Sequence, residues 1–303
     1  NTVPNKLKSE ENMIHFDFKK TASLLLAGLM TFGLCACSTN TEITADPNGK
    51  KLSIVTTTFP EYDWVKQIAG ANIDNIELTM LLDNGVDMHS FQPTAQDIVK
   101  ISSCDIFIHV GGESDEWVED ALAEAVNQDM QVVNLMELLG GLAVEEEIVE
   151  GMQTEEGEAE DGEVEYDEHV WLSLRNAQIF VTGIADAMSK ADPDNMERYQ
   201  TNADTYNKAL SELDSKYQEA VTNATRDTIL FGDRFPFRYL LDDYNIKYYA
   251  AFAGCSAETE ASFETIVFLS GKMDELGLKY VVVIDGSDQS IAQTIIDNTS
   301  AKN

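Results

Sequence analysis

Apolar and polar positions along the chain sort into short β-rich runs that alternate with stretches of helical spacing. Residues 52–59, 76–82, 105–110 and 131–136 read as strands, and residues 61–69, 95–102 and 113–126 as the helices between them. The pattern then breaks over residues 145–168. It resumes after Asp192-Pro193-Asp194 with one long helix, in which Met196, Tyr199, Ala203, Tyr206, Leu210, Leu213 and Tyr217 recur at steps of three and four, the spacing of a core-facing stripe. A second alternation follows, with strands over 228–232, 247–252 and 280–284 and helices over 237–243, 262–276 and 290–298. Alternation of this kind predicts an α/β fold: two lobes of mostly parallel sheet flanked by helices, joined by one long rigid helix. The divisions expected are a lobe over 51–190 with an acidic disordered insertion at 145–168, a linking helix over 191–224, and a lobe over 225–303.

Composition changes the picture at the N-terminus. Lys19-Lys20 precede an apolar stretch from Ala22 to Leu34, which ends in Leu34-Cys35-Ala36-Cys37 before a polar run. A basic start, an apolar segment too short to span a bilayer and a small-residue boundary predict a secretory signal. Residues 1–36 are therefore set apart as a signal region, residues 37–50 read as a tether, and the folded body is expected outside the cytoplasm. Of the remaining cysteines, Cys104 and Cys255 are expected as two buried thiols.

Charge narrows the ligand class. The 303 residues carry 20 basic and 54 acidic side chains, a formal charge of -34, which repels a phosphate backbone and excludes nucleic acid as a partner. Cations are the natural counterpart. Thirteen Asp or Glu fall within residues 145–168 with no Lys or Arg, giving either a solvated insertion or a cation-collecting loop.

Only four histidines are present, and two sit in segments suited to a metal. His89 follows a Gly-Val-Asp turn behind an apolar strand, where parallel sheets build ligand sites. His169 stands directly behind the carboxylates, with Asp167 or Glu168 available to accept from its ring and fix the tautomer. His109 ends a strand and reads as a structural residue; His15 lies in the signal region.

The dispersed motifs resemble the substrate-binding proteins of zinc and manganese ABC importers, the cluster A-I family. The residues that carry the resemblance are Ile54-Val55-Thr56-Thr57-Thr58-Phe59-Pro60, the His89 segment, Trp117 after Gly111-Gly112, His169-Val170-Trp171-Leu172, the Asp192-Pro193 helix start, and residues 254–262. Leu34 to Cys37 also resembles a bacterial lipobox, which implies lipidation of Cys37. The resemblance implies that His89 and His169 are metal ligands of the first lobe. It implies a third ligand after the first strand of the second lobe, where this chain has Arg234; arginine cannot ligate a cation, and Asp233 is the nearest capable group. A fourth, acidic ligand is implied near the C-terminus. Asp285, ending Val281-Val282-Val283-Ile284, is the candidate, with Asp288 beside it, in a lobe that stops short of the family's closing strand and helix.

The function so implied is extracytoplasmic capture of a divalent metal by a lipid-anchored monomer that passes it to an ABC permease, with no chemical step. Two imidazoles favour Zn(II) over magnesium or calcium, whereas a mixed nitrogen and oxygen set also suits Mn(II). The acidic insertion stands where zinc-importing relatives carry a histidine-rich loop, which favours zinc. The alternatives are a zinc-dependent hydrolase on a similar scaffold, against which no H-E-x-x-H signature is present, and a metal-binding surface adhesin.

Overall fold

A computed structural model of the chain describes residues 49–83, 85–153, 165–254, 256, 260–287 and 289–300. The signal region, Cys37, most of the tether, Cys255, Asp288 and the centre of the acidic insertion lie outside the described residues.

The first half is built on four parallel strands in the order β2-β1-β3-β4. These are β1 (Leu52–Thr56), β2 (Ile76–Met80), β3 (Ile106–His109) and β4 (Gln131–Asn134), with α1 (Phe59–Ala69), α2 (Ala95–Ser103), α3 (Trp117–Ala123) and α4 (Leu135–Leu139) between or after them. Registers are regular, Ile54 pairing with Leu78 on one side and Ile106 on the other. Both faces are covered, so Ile54, Ile106, Phe107 and Ile108 are fully buried, as apolar parallel strands require. Helix α1 begins where the buried Glu61 carboxylate accepts from the N–H groups of Thr57 and Thr58.

Two elements differ from their sequence patterns for local reasons. The helix expected over 113–126 splits into a 3-10 turn, Glu113–Asp115, and α3, because Asp115 turns inward to accept from Gly111 N at 2.8 Å. The strand expected to run to residue 136 stops at Asn134, whose side chain accepts from Glu137 N and starts α4.

Helix α5 (Leu174–Ala191) carries the deepest packing and is missing from the sequence reading. Its N-cap Ser173 accepts from Arg175 N and Asn176 N, and Ala177, Phe180, Val181, Ile184 and Met188 form the buried stripe. Phe180 stacks obliquely on Trp64 of α1, ring centroids 5.6 Å apart. The long helix α6 (Met196–Thr222) follows after a turn at Pro193–Asn195. Its stripe is buried only at Tyr199, Ala203 and Leu210, while Met196, Leu213 and Tyr217 remain two-fifths exposed. Near its start Tyr199 OH donates to Asp192 and accepts from Asn72; towards its end Asp214 accepts from Tyr244 OH.

The second half holds β5 (Thr228–Phe235) and β6 (Lys247–Ala253), again parallel, with α7 (Arg238–Asp243), α8 (Phe263–Leu276) and α9 (Ser290–Asn298). A register shift between Phe231 and Arg234 bulges β5 near its C-terminal end. The strand expected over 280–284 touches β5 at one place only, the bridge from Val282 to Phe231. Further along, Ile284 N donates to the Asp233 side chain instead of to a strand backbone. The two halves are tied by Tyr239 OH donating to Asp167 O at 2.9 Å and Ser173 Oγ donating to Asp243 at 2.7 Å.

The described flanks of the acidic insertion are paired rather than unstructured. Glu145 bridges Tyr166 antiparallel, and Gln153 bridges Phe252. Cys104 is a buried free thiol, pushed up to about 12 by burial.

The packing predicts a contrast in stability. Phe180→Ala should lower the unfolding free energy by about 3–5 kcal/mol, whereas Met196→Ala on the exposed side of α6 should cost no more than about 1 kcal/mol. Urea unfolding of the metal-free protein measures both; equal losses would contradict the core assignment.

Candidate metal centre

The loop after β2 and the segment before α5 bring two histidines together at the C-terminal edge of the first sheet. His89 lies in a 3-10 turn, Met88–Ser90, capped by Asp87, whose Oδ1 accepts from His89 N at 3.1 Å. His169 precedes a second turn, Val170–Leu172, and its backbone N–H donates to Asp167 Oδ1 at 2.8 Å. Eighty residues apart in sequence, the two rings stand with centroids 5.3 Å apart and Nε2 atoms 3.4 Å apart.

What holds each ring decides which nitrogen faces the partner. His169 Nδ1 lies 3.1 Å from Asp167 Oδ1, and an ionised carboxylate only accepts, so the proton belongs on Nδ1 and the Nε2 lone pair is bare. His89 Nδ1 lies 2.9 Å from Ser114 Oγ. Ser114 is set in turn by its own N–H, which donates to Glu168 Oε1 at 2.9 Å, while Glu168 Oε2 lies buried 3.7 Å from His89 Nδ1 without a hydrogen bond. Ser114 Oγ can accept from His89 Nδ1–H, the tautomer that leaves His89 with a bare Nε2 towards the gap. Two lone pairs facing at this distance repel unless a cation lies between them. A tetrahedral zinc bound to two imidazoles at about 2.0–2.1 Å places their nitrogens roughly 3.3–3.4 Å apart, the spacing seen here.

Electrostatics agrees with a neutral His89 ring. Burial, then the neighbouring His169, holds His89 below the ordinary histidine value. Burial also pushes the Glu168 carboxyl up, against the opposing hydrogen bonds from Ser114. Two glycines make the close packing possible. Gly112, at φ +82°, passes so near Glu168 that any Cβ would overlap its carboxylate. A Cβ on Gly254, at the end of β6, would sit 2.9 Å from Phe235 O and 3.1 Å from His169 Cε1.

The rings open onto a cavity of about 270 Å³ lined by Asp87, His89, His169, Trp171, Arg234 and Ile284, among others. A second cavity of about 340 Å³ adjoins His89 and carries Glu113, Glu116, Glu146, Glu165 and Glu168. Three of these acids, Glu146, Glu165 and Glu168, come from the flanks of the acidic insertion.

The other residues singled out in the sequence are placed differently. Asp233 is not brought to the imidazole pair. Its Oδ1 accepts from Arg234 N and its Oδ2 from Ile284 N, both at 2.9 Å, so the carboxylate fastens the 284 segment to the bulge of β5. Asp285 is exposed, one residue past Ile284 in the cavity wall. Among the described residues, no three or more His, Cys, Asp or Glu side chains group as a metal site. His109 is buried, stacked on Phe107 with Nδ1 3.2 Å from Asp115 Oδ2, a structural pairing. Sequence reasoning missed Ser114 and the close approach of Gly254 to His169. Ser114 carries no motif of its own, and its role arises only when the Gly111-Gly112 turn folds against Glu168. Of the two acids offered for the His169 ring, Asp167 takes it, and Glu168 serves the His89 side.

Known proteins share this architecture. The zinc-binding lipoprotein AdcA of Streptococcus pneumoniae strain R6 is 31% identical over 287 residues, covering 93% of this chain and 54% of its own length. This chain thus spans about half the length of that relative. The high-affinity zinc uptake system protein ZnuA of Bacillus subtilis is 29% identical over 289 residues, covering 94% of this chain and 87% of its own. The crystal structure of the Zn(II)-bound ZnuA-like domain of Streptococcus pneumoniae AdcA superposes with a TM-score of 0.64 at 27% identity, covering 83% of this chain and 85% of that one. Residues 54–303 match the family described as zinc-uptake complex component A, periplasmic, and the chain belongs to that family, ZnuA.

Proposed function

We propose that this chain is the substrate-binding component of an ABC metal importer: it captures Zn(II) on the extracytoplasmic side and hands it to a permease. The observation that carries the reading is the pair of imidazole Nε2 atoms 3.4 Å apart, each ring fixed through its Nδ1. Binding, not bond making, is the task. The zinc-binding and zinc-uptake relatives support zinc, and the nitrogen pair is compatible with Mn(II) as a lesser cargo. His89 and His169 supply the nitrogens. Asp285, next to the cavity wall, is proposed to supply an oxygen, and Asp233 holds the strand end that carries it. Cys37 is proposed as the lipidated residue that tethers a monomeric protein to the outer face of the membrane.

Isothermal titration with zinc tests this directly. His89→Ala and His169→Ala should each weaken binding by at least about a hundredfold, and Asp167→Asn by roughly 10–100-fold, the usual cost of losing an outer hydrogen-bond partner. Wild-type affinity in both histidine variants would refute the site.

Protons compete with the metal for the same lone pairs. A lowered His89 pKa keeps that ring free to bind down to lower pH than an ordinary histidine. Affinity should therefore stay level through neutral pH and fall only below about 6.5. Competition titrations across that range check the sign; an affinity that rises on acidification would contradict it.

A further inference from the structure

The cleft has a third chemically active wall, and that wall is positive. Arg234 leaves the bulged end of β5 and lines the same cavity as His89 and His169. A guanidinium stays protonated and offers no electron pair, so it cannot ligate a metal, and it repels a bare dication. Its contacts with the described residues both run through Nη1, to Asp87 Oδ2 at 3.2 Å and Ser256 O at 3.4 Å. Nε and Nη2 have no partner among the described residues. The Asp87 side chain is itself 42% exposed, which makes this a screened, weak pair that leaves the fork of the guanidinium unused.

The metal side of the cleft is equally incomplete. Two imidazoles and the proposed Asp285 oxygen would fill three of the four positions zinc prefers, and among the described residues no further acidic, thiol or imidazole group closes on the imidazole pair. The nearest carboxylate in the cleft wall's own strand, Asp233, has each oxygen engaged by a backbone N–H. The proposed dication and the Arg234 guanidinium, only weakly paired with Asp87, would therefore share one cavity of about 270 Å³, room for several water-sized groups beside an ion. One group satisfies both: a carboxylate, with one oxygen on the metal and the other on the planar N–H fork.

We propose that the cleft takes its metal as a complex with a small carboxylate ligand, and that Arg234 is the residue that selects the complex over the bare ion. The proposal rests on the metal-binding reading above and adds the chemical form of the cargo. Arg234 is the specificity element, repelling a naked dication and gripping the anion that travels with it.

Zinc titrations in perchlorate and in acetate at matched ionic strength and pH test this, with acetate as the carboxylate probe. In the wild type, acetate should tighten zinc binding by about tenfold, the worth of one charge-assisted hydrogen-bonded pair. Arg234→Gln should lose that gain and bind zinc in perchlorate more tightly than the wild type does. Arg234→Lys, which keeps the charge but not the fork, should retain part of the gain, and it serves as the working variant should Arg234→Gln fail to match the wild-type thermal unfolding. An acetate effect absent from the wild type, or undiminished in both variants, overturns the proposal while leaving the metal site standing. Absence of zinc binding in either medium overturns the metal-binding reading together with it.

Discussion

Two imidazole Nε2 atoms held 3.4 Å apart across a narrow gap are the constraint around which this protein is arranged. Left to themselves, neutral imidazoles avoid that geometry, because it is repulsive and partly desolvated. Here Asp167 engages the far nitrogen of His169 and Ser114 that of His89, so each ring turns its Nε2 to the other. The arrangement stores an unsatisfied demand for positive charge, and burial of His89 makes a proton a poor answer to it. A metal ion is the better answer. On the proposed reading, the preference for cations that the overall charge of -34 only suggests becomes specific at one point in space.

The fold supplies that point by ordinary means. Parallel strands bury both faces and release their loops at one edge, where the His89 turn follows β2 and the Gly111-Gly112 turn follows β3. The His169 segment reaches the same edge because α5 caps at Ser173 and packs its apolar stripe along the sheet. Ser173 also binds Asp243, and Tyr239 binds the carbonyl of Asp167, so the second half of the molecule is anchored within a few residues of His169. The bulge in β5 then sets both Arg234 and the Asp233 clamp against the cleft.

Much of this was legible in the sequence, and the exceptions are instructive. Strand and helix alternation carried the α/β class, and the rarity of histidine made His89 and His169 conspicuous. Helix α5 escaped because its apolar positions are interleaved with Arg175, Asn176, Gln178 and Thr182, and its start is a single serine. The stripe on α6 was over-read: periodicity marks a face, but only Tyr199, Ala203 and Leu210 of it are fully covered. Asp233 had the right chemistry for a ligand, yet sequence cannot reveal that two backbone N–H groups already claim its oxygens. Tertiary hydrogen bonding, not residue type, decided that role.

Gly112 carries a consequence out of proportion to its size. Its backbone lies where a methyl group would collide with the Glu168 carboxylate, and Glu168 is what positions Ser114, which in turn steadies His89. A mutation there would touch neither histidine. It would nonetheless displace Glu168 and, through Ser114, loosen the hold on His89, so the proposed metal grip depends on a codon that encodes no functional group at all.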